Sequence, residues 1–209
     1  MTRRQFTTTA VSSAAYLAAH TCLRGQSADS NSVRFETDDL RLEISGDGMV
    51  RSVASKHNNM EYGVSGPVAT VYRGGRSEPG GKGVHAAVVG HWVYQGGSHF
   101  DATTVRREGD RLWIEFAGAK VKAGYNVIRT REYVAFELLS VEGPPIDRIE
   151  FLQLNVRRLP MLGEWVNLAY DERFGLCLCG GSLPTDVQML PRERVVHMKA
   201  AAEAGVCFR

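Results

Sequence analysis

The chain has 209 residues, of which 44% are hydrophobic and 23% charged, with a formal net charge of +2 at pH 7. This composition excludes wholesale disorder, and the length suits one domain with extensions that can bury a core without disulfide staples. No apolar run reaches the roughly 18 to 20 residues of a membrane-spanning helix, and 22 glycines favour a turn-rich fold over a helical bundle.

The N-terminus begins Met1-Thr2-Arg3-Arg4-Gln5-Phe6, and an uncharged, weakly apolar stretch follows over residues 10–19. This is the layout of a secretory signal, and Arg3, Arg4 and Phe6 resemble the twin-arginine export signal of bacteria. The expectation is a signal peptide over residues 1–28 that engages the twin-arginine export machinery. A polar linker over 29–32 and a periplasmic or extracellular mature chain would follow. Cuts after Ser27 or Ala28 are the best available, and Ala19-His20-Thr21 before Cys22 makes a poor lipobox. Cleavage after Ala28 would remove Arg3, Arg4 and Arg24 and no acid, taking the net charge down by three units from +2 to −1. A near-neutral chain gives no electrostatic support to nucleic-acid binding, and no polybasic cluster marks a membrane surface.

From Leu40 the pattern has period two. Leu40, Leu42 and Ile44 alternate with Arg41, Glu43 and Ser45, which predicts a half-buried strand. Ser45-Gly46-Asp47-Gly48 is a turn signal, and residues 49–55 read as the partner strand. Residues 56–59 form the next turn, and 68–73 are strand-like. Residues 74–83 carry five glycines and a proline, which predicts a loop. Residues 102–108, Gly109-Asp110 and 111–116 read as a hairpin, with Leu112, Ile114 and Phe116 on one face and Arg111, Trp113 and Glu115 on the other. Further strands are expected over 121–129, 133–142, 146–156, 165–170 and 176–179. Some ten strands joined by short polar turns predict an all-β fold, an antiparallel β-sandwich, over residues 33–184.

The remaining segment, 185–209, reads differently. Pro191 stands at a helix-start position, Gly205 at a helix-stop position, and an Ala-rich run lies between them. The expectation is a short C-terminal helix, the start of a linker into an absent domain.

The familiar catalytic patterns are missing. There is no Gly-x-x-x-x-Gly-Lys-Ser/Thr, no Gly-x-Ser-x-Gly and no His-Glu-x-x-His. His85, His91 and His99 cluster with Asp101, and His99 and Asp101 would share a strand face. That suits a metal pair or an acid–base pair, but a solvated loop end explains them more simply. Asp101, Glu137, Glu150, Glu164 and Asp171 are glycosidase-type carboxylates by residue type alone, and no spacing selects two of them. Cys177 and Cys179 stand at i and i+2 of a strand, where a bridge would be strained. With Cys207 they are expected to be buried thiols rather than metal ligands. The aromatics are more suggestive. Trp92, Trp113 and Trp165 are the candidate sugar-stacking residues, with Tyr72, Tyr94 and Tyr125 behind them. No catalytic residue, metal site or cofactor is assigned.

Leu40-Arg41-Leu42-Glu43-Ile44, then Gly46-Asp47-Gly48-Met49-Val50-Arg51-Ser52-Val53 and Glu61-Tyr62, resemble the opening of a particular N-terminal sandwich domain. Such domains precede the barrel of exported bacterial α-galactosidase-like glycoside hydrolases and are similar to the galactose-mutarotase-like supersandwich. Residues 166–176 (VNLAYDERFGL) resemble that domain's closing strands. The resemblance covers residues 33–184 and is one of hydrophobicity and turns. It implies that the cleaving carboxylates belong to a barrel for which this chain has no room. The chain is then expected to be a truncated N-terminal fragment or accessory module, not an enzyme on its own, with a possible carbohydrate ligand. A small mutarotase-type epimerase, with His85, His91 or His99 acting with Glu137 or Glu150, is one alternative. A cell-envelope interaction domain without a sugar ligand is another.

Overall fold

The computed structural model describes residues 32–79, 92–163, 166–181 and 185–203. The predicted export signal, with Arg3, Arg4 and Phe6, lies outside the described residues.

The fold is all-β and antiparallel. One sheet has the order β1-β2-β3-β5, built from β1 (Val33–Glu36), β2 (Leu40–Ile44), β3 (Met49–Ser55) and β5 (Gly66–Pro67). A second has the order β11-β10-β9-β8, built from β8 (Thr104–Glu108), β9 (Arg111–Phe116), β10 (Val121–Arg129) and β11 (Val134–Glu142). The largest has the order β16-β17-β12-β6-β7. Its members are β6 (Ala69–Pro79), β7 (Trp92–Asp101), β12 (Arg148–Arg157), β16 (Asp186–Pro191) and β17 (Val195–Glu203), with β4 (Gly63–Val64) also paired to β12. A small sheet joins β13 (Met161–Gly163), β14 (Leu168–Tyr170) and β15 (Gly175–Cys177).

Alternation decides which side of each strand enters the core. In β9, Leu112, Ile114 and Phe116 are fully buried, while Arg111, Trp113 and Glu115 face outward. In β2, Leu42 and Ile44 point inward. Phe35 of β1 meets Phe136 of β11 edge-on at 5.2 Å, and Phe136 meets Phe151 of β12 at 5.1 Å. Tyr125 of β10 lies 4.3 Å from Phe151. These four rings tie three sheets to one apolar core. Each such side chain contributes about 1.5–3 kcal/mol on burial. Tyr125, read from sequence as an outer sugar platform, is therefore a core residue.

Two expectations are corrected. Residues 74–79 are not loop: β6 runs through Gly74 and Gly75 and pairs with β7 as far as Pro79↔Trp92. The glycines permit the strand rather than ending it. Gly74 and Gly97 have φ of 76° and 67°, and a Cβ on Gly97 would stand 2.3 Å from the carbonyl oxygen of Arg73. The hairpin kinks at this point and continues.

The C-terminal helix is the second correction. Residues 186–191 and 195–203 form β16 and β17, and β17 pairs with β12 along its length, from Arg148↔Glu203 to Arg157↔Val195. Helix propensity among Ala, Met and Lys is a weak preference of tenths of a kcal/mol per residue. Val196 and Met198, both fully buried, and nearly buried Ala200 form a period-two face that docks on the core, and that burial outweighs it. Segment 185–203 belongs to the domain's largest sheet.

Deleting residues 186–209 would strip β12 of its β17 partner and open the core at Val196 and Met198. The expected result is loss of the cooperative urea transition followed by far-ultraviolet circular dichroism. A mere linker would leave the midpoint unchanged.

Candidate functional site: a charged sheet face

The core-facing side of the largest sheet carries Val71, Ile149, Leu154, Val156, Val196 and Met198. Its other side is polar. Cross-strand partners share a face, so the registers place His99 and Asp101 beside Tyr72 and Thr70 of β6. Next come Arg148 and Glu150 of β12, then Glu203 and Ala201 of β17, then Asp186 of β16. After the irregularity between Glu150 and Gln153, the same face continues with Gln153 against Lys199 and Asn155 against His197.

At its centre Arg148 and Glu150 are 1% and 2% exposed. Arg148 donates from Nε to Glu150 at 3.2 Å, from Nη1 to Glu203 at 3.0 Å and from Nη2 to Asp186 at 3.1 Å. Glu150 also accepts from Lys199 Nζ at 2.6 Å and from the Tyr72 hydroxyl at 2.9 Å. Gln188 donates to Asp186 at 2.6 Å. Beside this lattice, Gln153 donates to Thr70 Oγ1 and Thr70 donates to Asp101, each at 2.7 Å. An unpaired buried ion costs several kcal/mol. Here each buried ion has partners from two or three strands, so the charges persist.

The electrostatics follow. Burial alone would lower the Arg148 pKa, but Glu150, Asp186 and Glu203 together raise it. Burial, then the charge of Glu150, pushes the Tyr72 phenol well above its ordinary value, so it remains a donor. His197 Nδ1 donates to Asn155 Oδ1 at 2.8 Å, and burial, then Lys199, drops the His197 pKa to about 4.

The rim near the β6–β7 kink has its own anchor. Tyr94 donates to Asp147 Oδ2 at 2.7 Å, the Gly74 amide donates to the same oxygen at 2.6 Å, and the Gly75 amide donates to the Tyr94 hydroxyl. The Tyr94 hydroxyl, then the Gly74 and Gly75 amides, hold Asp147 below its usual carboxylate range. Burial, then the bond to Asp147, pushes Tyr94 up to about 12. The Tyr72 and Tyr94 rings stand 4.8 Å apart, and the Tyr72 and His99 rings 6.4 Å.

The residues singled out from the sequence fall in several places. His99, Asp101 and Glu150 come together on the polar face, with Tyr72 between His99 and Glu150. Glu137 lies on β11, exposed, and accepts from Asn126 at 3.4 Å. Asp171 shapes a turn, accepting from the Arg173 and Phe174 amides at 2.7 and 2.8 Å. Trp165, His85, His91 and Glu164, and the side chain of Trp92, lie outside the described residues. Trp113 faces outward on β9, lies against Gly124, and has the Lys122 ammonium 4.0 Å from its ring centre. Its buried indole N–H has no acceptor.

Cys177 and Cys179 are exposed, not buried, because β15 ends at Cys177 and the chain leaves the small sheet there. Among the described residues no group of three or more His, Cys, Asp and Glu is placed to hold a metal ion.

Arg148, Lys199, Thr70, Gln153, Gln188 and Asp186 were not recognisable in the sequence as a site. Their signal was present as polar residues alternating with apolar ones, as in Arg148-Ile149-Glu150 and His197-Met198-Lys199. Such alternation reads as an ordinary solvated face.

No family model matches the chain, and comparison with curated proteins and with solved structures finds none that matches.

Two outcomes are expected from the lattice. Glu150→Gln leaves Lys199 and one edge of Arg148 without their carboxylate, and should cost about 3–5 kcal/mol in urea denaturation. His197 is held neutral in the fold with its pKa depressed from 6.5 to about 4. Its contribution to stability is therefore complete above pH 6.5 and is lost as pH falls through about 4, because the unfolded chain binds the proton first. Stability measured across that window should fall less steeply for His197→Gln than for the wild type.

Proposed function

We propose that this chain is an exported, carbohydrate-binding β-sandwich module without catalytic activity of its own, and that the sugar lies on the polar face of the largest sheet. The observation that carries the reading is the face itself. Hydrogen-bonding side chains from β7, β6, β12, β17 and β16 share this face, and most of them bond one another. A sugar presents vicinal hydroxyls that need donors and acceptors in fixed, closely spaced positions, and preorganised side chains supply these at low entropic cost. Asp101, His99 and Glu203 stand at the solvent-facing fringe of the lattice, and the Tyr72, Tyr94 and His99 rings supply apolar edges beside it.

The charge balance favours a neutral polyol over an anion. Arg148 and Lys199 already face Glu150, Asp186 and Glu203. A phosphate or carboxylate would have to displace a carboxylate already in place. The twin-arginine-like start supports export, and the resemblance to galactose-mutarotase-like sandwich domains of glycoside hydrolases supports the sugar. Trp113 would join as a second stacking site only by displacing Lys122.

The mutarotase-type reading keeps one observation in its favour, since His99 and Glu150 share a face. It is the weaker reading, because Glu150 is tied by Arg148, Lys199 and Tyr72 in a structural lattice, whereas a general base must meet the substrate proton directly.

The test is calorimetry and thermal shift of the purified chain against galactosides and common polysaccharides. A specific sugar should raise the melting temperature, with about 2.7 kcal/mol of stabilisation at a hundred times its Kd. His99→Ala should weaken binding at least about tenfold, or roughly 1.4 kcal/mol, without lowering the melting temperature of the unliganded chain. A folded chain that no sugar stabilises would sink the proposal, and anomer interconversion by the chain would move it to the mutarotase reading.

A further inference from the structure

Cys177 and Cys179 take no part in the polar face. Cys177 ends β15, whose last ladder pair is Leu168↔Cys177, and Cys179 follows after the ladder has stopped. In a continued strand, residues two apart would stand about 6.6 Å apart along the chain. Here the two sulfurs are 3.3 Å apart, both residues are exposed, and the Cys177 thiol donates to the Val166 carbonyl oxygen at 3.0 Å. The irregular chain after β15 therefore brings both thiols to one point on the surface.

A shared metal fits this arrangement poorly. Two thiolates on one tetrahedral zinc, each at about 2.3 Å, stand roughly 3.8 Å apart. Among the described residues no third ligand is grouped with them. The observed 3.3 Å lies between that spacing and the roughly 2.05 Å of a disulfide, so the missing third ligand, not the distance, counts against a metal.

We propose that Cys177 and Cys179 form a reversible dithiol–disulfide site that exchanges with a small-molecule disulfide of the glutathione type. The Cys179 thiolate attacks one sulfur of the small disulfide, breaking its S–S bond and releasing one thiolate, which takes up the proton that Cys179 gave up. Cys177 Sγ then attacks Cys179 Sγ in the mixed disulfide, forms the Cys177–Cys179 bond and expels the second small thiol, which carries off the proton from Cys177. Two protein thiols are oxidised and one small disulfide is reduced to two thiols. Burial, then the hydrogen bond to Cys179, pushes the Cys177 thiol up to about 11. That assigns Cys177 the resolving step, where the attack is intramolecular, and leaves the first step to Cys179. A bridge between residues two apart closes a small ring and is readily reduced.

Trypsin cuts after Arg173 and Arg192 and nowhere between, so one peptide, residues 174–192, holds both cysteines and excludes Cys22 and Cys207. The full chain, purified reduced, is exposed to oxidised glutathione at neutral pH, blocked with N-ethylmaleimide, digested and weighed. The expected peptide is lighter by two hydrogens, carries no blocking group, and regains both thiols with dithiothreitol. In Cys177→Ser, which lacks the resolving thiol, a glutathione adduct should accumulate on Cys179. It should form at least about tenfold faster than any adduct on Cys177 in Cys179→Ser. A peptide with both thiols blocked, a lasting glutathione adduct on the wild type, or a bridge to Cys22 or Cys207 would overturn the proposal. Equal adduct rates in the two variants would overturn the assigned order of attack.

Discussion

Arg148 holds its guanidinium at 1% exposure between three carboxylates from different parts of the chain. Glu150 is on its own strand, Glu203 on β17 and Asp186 on β16. A buried cation is tolerable only if all of these arrive together. A one-residue slip of β12 would turn Arg148 and Glu150 into the apolar core and Ile149 out of it. The ion lattice therefore fixes the register of the largest sheet, and with it the position of the core face of β17. The hydrophobic residues supply most of the driving force, and the charges select one pairing among those the apolar pattern would accept.

The same constraint shapes the polar face of the largest sheet. Because Arg148, Glu150 and Lys199 hold one another, the side chains around them have little freedom. Thr70, Gln153 and Asp101 extend the ordered pattern toward one edge, and Tyr94 with Asp147 anchors the kinked β6–β7 rim. A face of this kind loses little entropy on binding a polar ligand. Its cations are already matched by acids, and the proposal of a neutral sugar ligand rests on that balance. Trp113 follows a different logic on the second sheet: its ring lies over Gly124 beneath Lys122, packing that stabilises β9 and β10 whether or not a ligand arrives.

Much of the fold was legible locally. The hairpin of β8 and β9 and the span of β10 follow from alternation and turn residues, because each is decided by neighbours in sequence. Residues 74–79 and the C-terminal segment were misread where local and distant preferences disagree. Glycine lowers strand preference in general, yet Gly74 and Gly97 suit the kink that lets β6 and β7 continue. Alanine favours helix, yet Ala200 and Ala201 are buried in a strand paired on both sides, by β16 and β12. The site was legible only in fragments. His99, Asp101 and Glu150 were candidates by type, but Lys199 lay in the stretch assigned to a helix and Asp186 in the segment just before it. Nothing local joined them to Arg148.

The sequence by itself determined the all-β class, the core faces of most strands and the absence of the common catalytic motifs. These depend on period-two burial and turn chemistry, which act within a few residues. Only the tertiary structure decided that residues 186–203 complete the largest sheet, that charges nearly fifty residues apart share one buried lattice, and that two cysteines meet at the surface. Each of these depends on which strands pair. Pairing is settled by the total burial and ion matching of the folded chain, and no short stretch of sequence contains that information.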